Sequence, residues 1–123
     1  MLKPYSELRV MVVDDSRSIR ELLSAILQEL GVGRVIEAQE GAEALRLLDA
    51  EPDGIDMLFC DLAMPGMDGV QTLKALGERR MHSPIVLLSG LDARLLRSVG
   101  DMALQLGLNL AGLMGKPFDL YSV

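Results

Sequence analysis

The run Met57-Leu58-Phe59-Cys60-Asp61, followed at once by Leu62-Ala63-Met64-Pro65-Gly66-Met67-Asp68-Gly69, constrains the fold more than any other stretch. An apolar run ending in a carboxylate, then a loop dense in Pro and Gly, reads as a buried strand delivering an acid to the rim of a sheet. The same punctuation recurs along the chain. Leu8-Arg9-Val10-Met11-Val12-Val13 stops at Asp14-Asp15-Ser16, and Ile85-Val86-Leu87-Leu88 stops at Ser89-Gly90. A further strand over Leu108 to Met114 stops at Gly115-Lys116-Pro117, and Arg34 to Ala38 supplies a short one early in the chain.

Between these strands the apolar residues change period. Ile19, Leu22, Leu23, Ile26, Leu27 and Leu30 recur on one helical stripe, which Gly31 closes. Gly41 opens a second helix through Ala42, Ala44, Leu45, Leu47 and Leu48, ending before Pro52, and Val70, Leu73 and Leu76 mark a third that ends near Arg79-Arg80. Asp92 or a neighbour caps a fourth, carrying Leu95, Leu96, Val99, Met102, Ala103 and Leu106; Gly100 inside it costs about 1 kcal/mol relative to Ala.

Strands alternating with helices, the strands apolar rather than alternating, predict an α/β fold: a doubly wound, five-stranded parallel sheet. Right-handed crossovers put every strand C-terminus on one edge, and that edge is where open parallel sheets bind ligands. Asp14, Asp15, Asp61, Ser89 and Lys116 are all expected there. With 123 residues, half of them hydrophobic, residues 1–123 are expected to form one domain. A net charge of -6 argues against a phosphate-tracking surface, so no nucleic acid is expected as a partner. The single cysteine and the lack of a secretory leader point to the cytoplasm, and no apolar run reaches the length of a membrane helix.

Three carboxylates drawn into one cleft repel one another by about 1 to 4 kcal/mol per pair at 4 Å. An all-oxygen site of this kind suits Mg2+, with Asp15 and Asp61 as direct ligands and Asp14 acting directly or through water. A phosphoryl group arriving there would share its charge with the metal, the Lys116 ammonium and the Ser89 hydroxyl, and Asp61 could attack phosphorus to become an acyl phosphate.

Taken in order, Asp14-Asp15, Asp61 within Asp-Leu-Ala-Met-Pro-Gly-Met-Asp-Gly, Ser89 and Lys116-Pro117 resemble the receiver domain of two-component response regulators. The resemblance implies a flavodoxin-like strand order 2-1-3-4-5 and a cis peptide before Pro117. It implies Asp61 as phosphoacceptor, Asp14, Asp15 and the Ala63 backbone carbonyl as further metal ligands, Ser89 as switch hydroxyl and Lys116 as phosphoryl binder. The implied partners are a histidine kinase or phosphotransfer protein and an attached or separate output domain, with a homodimer also open. Such a domain accepts phosphate but is not a turnover enzyme. The stretch from Gly107 to Phe118 further resembles receivers fused to EAL-type cyclic-di-GMP phosphodiesterase domains.

The chain departs from that pattern in several places. Leu113 stands where receivers usually carry Tyr or Phe, Ala63 and Leu91 are apolar two residues beyond the acceptor and the hydroxyl, and Phe118 to Val123 leave the fifth helix truncated or missing. Three rival readings are a flavin-binding flavodoxin, disfavoured by the lack of a hydroxyl-rich phosphate loop after the first strand, a pseudo-receiver that serves only as an interaction module, and a phosphohydrolase of the haloacid-dehalogenase type. The last wants a second acid where Ala63 stands. Cys60 reads as a small core hydrophobe and His82 as an exposed residue without a catalytic partner.

Overall fold

The sheet is laid down in the order β2-β1-β3-β4-β5, every pair parallel. In this computed structural model, residues 4–51, 54–62, 69–90 and 93–116 are described. A 3-10 turn, Tyr5–Glu7, leads into β1 (Arg9–Val13), α1 (Arg17–Glu29), β2 (Arg34–Ala38), α2 (Gly41–Ala50) and β3 (Met57–Asp61). There follow α3 (Gly69–Glu78), β4 (Ile85–Ser89), α4 (Ala93–Gln105) and β5 (Leu110–Gly115). The expected doubly wound sheet and its strand order are thus present. The cis peptide before Pro117, the truncated fifth helix, Ala63 and Leu91 lie outside the described residues.

The three inner strands are apolar because each meets helices on both faces. On one side Met11, Val13, Leu58, Cys60 and Leu87 pack with Leu45 of α2, Leu73 and Leu76 of α3, and Leu96 and Ala103 of α4. On the other, Val10, Val12, Phe59, Val86 and Leu88 pack with Leu23 and Leu27 of α1. Among the described residues α1 is alone on that second side, and a trough of about 450 Å3, lined in part by Leu27, Phe59, Val86 and Met114, remains beside it. The edge strands are only half covered, so β2 and β5 alternate in burial where the inner strands do not.

The last strand begins later than the sequence suggests. Leu108 is apolar not as a strand residue but as the closing residue of α4. Its N–H reaches back to the Ala103 carbonyl at 3.1 Å, the Gly107 N–H bonds the Leu104 carbonyl at 3.0 Å, and Gly107 sits at φ +80°. This is the Schellman pattern, which buries the residue after the left-handed one. The strand also contains an extra residue: Ile85 faces Leu110 but Val86 faces Gly112, so Ala111 has no opposite number. Gly100, counted above as a weak point, lets α4 lie against that strand. A Cβ there would stand 3.2 Å from Leu113 Cδ2 and 3.3 Å from Leu110 Cδ2.

Candidate phosphoacceptor and metal site

Each site residue reaches the rim because its strand ends there. β1 ends at Val13, and the Asp14 N–H continues the ladder by bonding the Ala38 carbonyl of β2 at 3.1 Å. Asp14 Oδ1 then accepts from the Ser16 N–H at 2.9 Å, and the Ser16 hydroxyl oxygen accepts from the Ile19 N–H as the N-cap of α1. That turn leaves Asp14 fully buried and Asp15 exposed. Asp61 is the last residue of β3, 2% exposed, with Leu88 opposite it. Ser89 ends β4, fully buried, and its carbonyl accepts from the Lys116 N–H at 2.9 Å, so the fifth strand hands its lysine to the same rim.

The side chains converge. Asp14, Asp15 and Asp61 each offer a carboxylate oxygen, all within 4.8 Å of one another. Lys116 Nζ lies 2.7 Å from Asp14 Oδ2 and 3.3 Å from Asp61 Oδ1. Partial burial works to lower the pKa of that ammonium, but its pairing with Asp14 and Asp61 outweighs the burial and holds it above the usual lysine value. One cation facing three carboxylates leaves the cluster net negative. Asp14 Oδ2 is buried and, the ion pair with Lys116 apart, accepts no hydrogen bond from the described residues. Three clustered carboxylates, two of them sharing the Lys116 ammonium, form a donor set that fits a small divalent cation.

Cys60 behaves largely as the sequence indicates. Its thiol lies in the core and donates to the Asp61 carbonyl at 3.5 Å; burial first, then the charges of Asp61 and Asp14, push its pKa from the usual 9.0 to about 12. The native thiol should therefore resist iodoacetamide at pH 8 and react once denaturant is added; rapid alkylation of the folded chain would contradict this burial. The sign of the pH dependence follows. Between pH 9 and about 12 the unfolded chain releases the Cys60 proton while the folded chain keeps it, so stability falls as pH rises through that window. The raised Lys116 acts in the same direction, its contribution being lost as pH climbs through the folded value.

Two residues near the site were not legible as such. Gly69 opens α3 pressed against the strand end, its N–H bonding the Leu62 carbonyl at 3.2 Å, and a Cβ there would come within 2.4 Å of Leu62 Cα. Arg20 is buried in α1, its guanidinium donating to the Asp14 carbonyl at 2.7 Å. The signal for Arg20 was available: with Leu23, Ser24 and Leu27 it falls at i, i+3, i+4 and i+7, a charge on the buried stripe.

A parallel sheet wound in this order, with two acids following β1, one ending β3 and a lysine following β5, defines a receiver. The family model for the response regulator receiver domain matches residues 10–121, and the chain belongs to that family. It is 35% identical over 116 residues to the cyclic di-GMP phosphodiesterase RocR of Pseudomonas aeruginosa, covering 94% of this chain and 29% of RocR. It is 38% identical over 112 residues to the transcriptional regulatory protein CpxR of Escherichia coli, covering 90% of this chain and 44% of CpxR. The chain thus spans less than half the length of these relatives. Against the chemotaxis protein CheY of Pseudomonas aeruginosa the identity is 33%, covering 90% and 86%. Among solved structures, CheY4 of Vibrio cholerae superposes with a TM-score of 0.79 at 29% identity, covering 94% and 91%. The CheX-CheY-BeF3-Mg complex of Borrelia burgdorferi gives 0.80 at 26%, covering 94% and 82%. No helix among the described residues is long and apolar enough to cross a membrane.

Proposed function

We propose that this receiver accepts a phosphoryl group on Asp61 in a Mg2+-dependent transfer from the phosphohistidine of a histidine kinase or phosphotransfer protein. The observation that carries the reading is the position of Lys116 Nζ, within reach of both Asp14 Oδ2 and Asp61 Oδ1 while Asp15 completes the acid cluster. A carboxylate oxygen of Asp61 attacks phosphorus, the P–N bond to the donor imidazole breaks, and an acyl phosphate forms as the imidazole leaves. Lys116 exchanges its carboxylate contact for a phosphoryl oxygen, and the Ser89 hydroxyl donates to another.

Asp14, Asp15, Asp61 and the Ala63 backbone carbonyl would hold Mg2+, which when bound offsets the charge of carboxylates and phosphoryl oxygens together. The Borrelia CheY complex carries BeF3 and Mg, which supports the pairing of the two at such a site. With Leu113 in place of an aromatic residue, the response to phosphorylation runs through Ser89, the loop after it and α4. Residues 1–123 act as one receiver domain in the cytoplasm. The domain accepts phosphate rather than turning over a substrate, and it passes its state to an output domain or partner; the RocR likeness favours an EAL-type phosphodiesterase.

Incubation with acetyl phosphate and Mg2+ should add one phosphoryl mass to the intact chain, labile to hydroxylamine as acyl phosphates are. Chelating the metal with EDTA should reduce that addition to background. Phosphorylation that proceeds equally well in EDTA, or none at all with Mg2+ present, would overturn the reading.

A further inference from the structure

We propose that Arg20 is a positioning residue for the acid cluster, setting its affinity for the divalent cation by fixing the peptide between Asp14 and Asp15. The inference rests on reading the cluster as a Mg2+ site. Asp14 is restrained four ways: its N–H by the Ala38 carbonyl, its Oδ1 by the Ser16 N–H, its Oδ2 by Lys116 Nζ at 2.7 Å, and its carbonyl by Arg20 Nη1 at 2.7 Å. Two of these come from charged side chains, Lys116 and Arg20, and of the two only Arg20 holds the backbone carbonyl. That carbonyl belongs to the peptide plane leading into Asp15, whose exposed carboxylate would otherwise swing as the plane turns. Arg20 is aimed from the other side by Glu37 of β2, Nε to Oε1 at 3.3 Å.

Packing alone gives no reason for the arginine. It occupies a buried position on the α1 stripe, where an apolar side chain of similar volume would fill the space but leave the Asp14 carbonyl unpaired. What an apolar side chain could not do is hold a carbonyl at the strand end, the kind of support behind a metal ligand whose removal weakens binding by 10- to 100-fold.

The test measures Mg2+ affinity by titration calorimetry and melting temperature in parallel, on the wild-type chain and on Arg20→Met, Arg20→Lys, Glu37→Gln and Asp15→Asn. Arg20→Met should weaken Mg2+ binding roughly ten-fold in a chain that still folds, its melting temperature lowered by the unpaired Asp14 carbonyl, and phosphoryl incorporation should return when Mg2+ is made saturating. Arg20→Lys, which keeps a donor and the charge, should recover part of the affinity. A folded Arg20→Met chain that binds Mg2+ as the wild type does overturns the proposal. If Arg20→Met does not fold, Glu37→Gln decides: a few-fold loss of affinity supports the proposal and an unchanged affinity overturns it. Wild-type Mg2+ binding that is absent, or indifferent to Asp15→Asn, strikes the site assignment itself and takes the role of Arg20 with it.

Discussion

Asp61→Asn should reduce phosphoryl incorporation from acetyl phosphate to background, a loss of roughly a thousand-fold or more, as is usual when a covalent nucleophile is removed. The substitution keeps the shape of the side chain and removes its charge. The fold should not suffer: Asp61 is 2% exposed at the end of β3, and neutralising it relieves repulsion from Asp14 and Asp15 of the order of 1 to 4 kcal/mol per pair. Lys116 retains its 2.7 Å pairing with Asp14. Melting temperature should therefore hold or rise while labelling disappears, a combination that separates loss of the nucleophile from loss of structure. Intact-mass measurement on the variant checks it. Labelling of the asparagine form at the wild-type rate would move the acceptor elsewhere in the cluster, with Asp15 the accessible candidate.

The second large effect is structural. Gly69→Ala should destabilise the domain by roughly 3 kcal/mol or more, the upper end of what forced overpacking costs. The reason is local and specific: the added methyl would meet backbone, 2.4 Å from Leu62 Cα and 2.9 Å from the carbonyl oxygens of Asp61 and Leu62, and backbone cannot rotate aside as a side chain can. Relief requires α3 to back away from the end of β3, which moves the residue that carries the acceptor. Urea unfolding should show the loss as a lower midpoint, and phosphoryl incorporation should fall in the fraction that remains folded. A variant with the wild-type midpoint would mean that the helix start can be displaced freely.

The strand ends were legible because each inner strand is an apolar run cut off by a residue that cannot stay in the core unpaired. Asp61 and Ser89 mark their strands in this way, and Lys116 announces the rim although β5 itself is half exposed. What could not be read depends on partners distant in sequence. Leu108 looks like a strand residue until Gly107 is seen to reverse the chain and tuck it under α4. Gly100 looks like a defect until β5 is laid beside it. Arg20 carries a visible clue in its helical spacing, yet nothing local reveals that it reaches the Asp14 carbonyl, because that contact exists only once α1 folds back on the strand it follows.

The unmatched Ala111 gives the final strand a reading frame. Carried on from the Ile85 and Leu110 pair without interruption, the ladder would set Met114 opposite Ser89 and push Lys116 one step past the rim, on the reverse side of the pleat. With the extra residue, Gly115 meets Ser89 and the lysine arrives where the acids are. Evolution and the engineer are therefore freer to exchange side chains in this segment than to add or drop a single position, since its length is what keeps the ammonium in phase with the carboxylates.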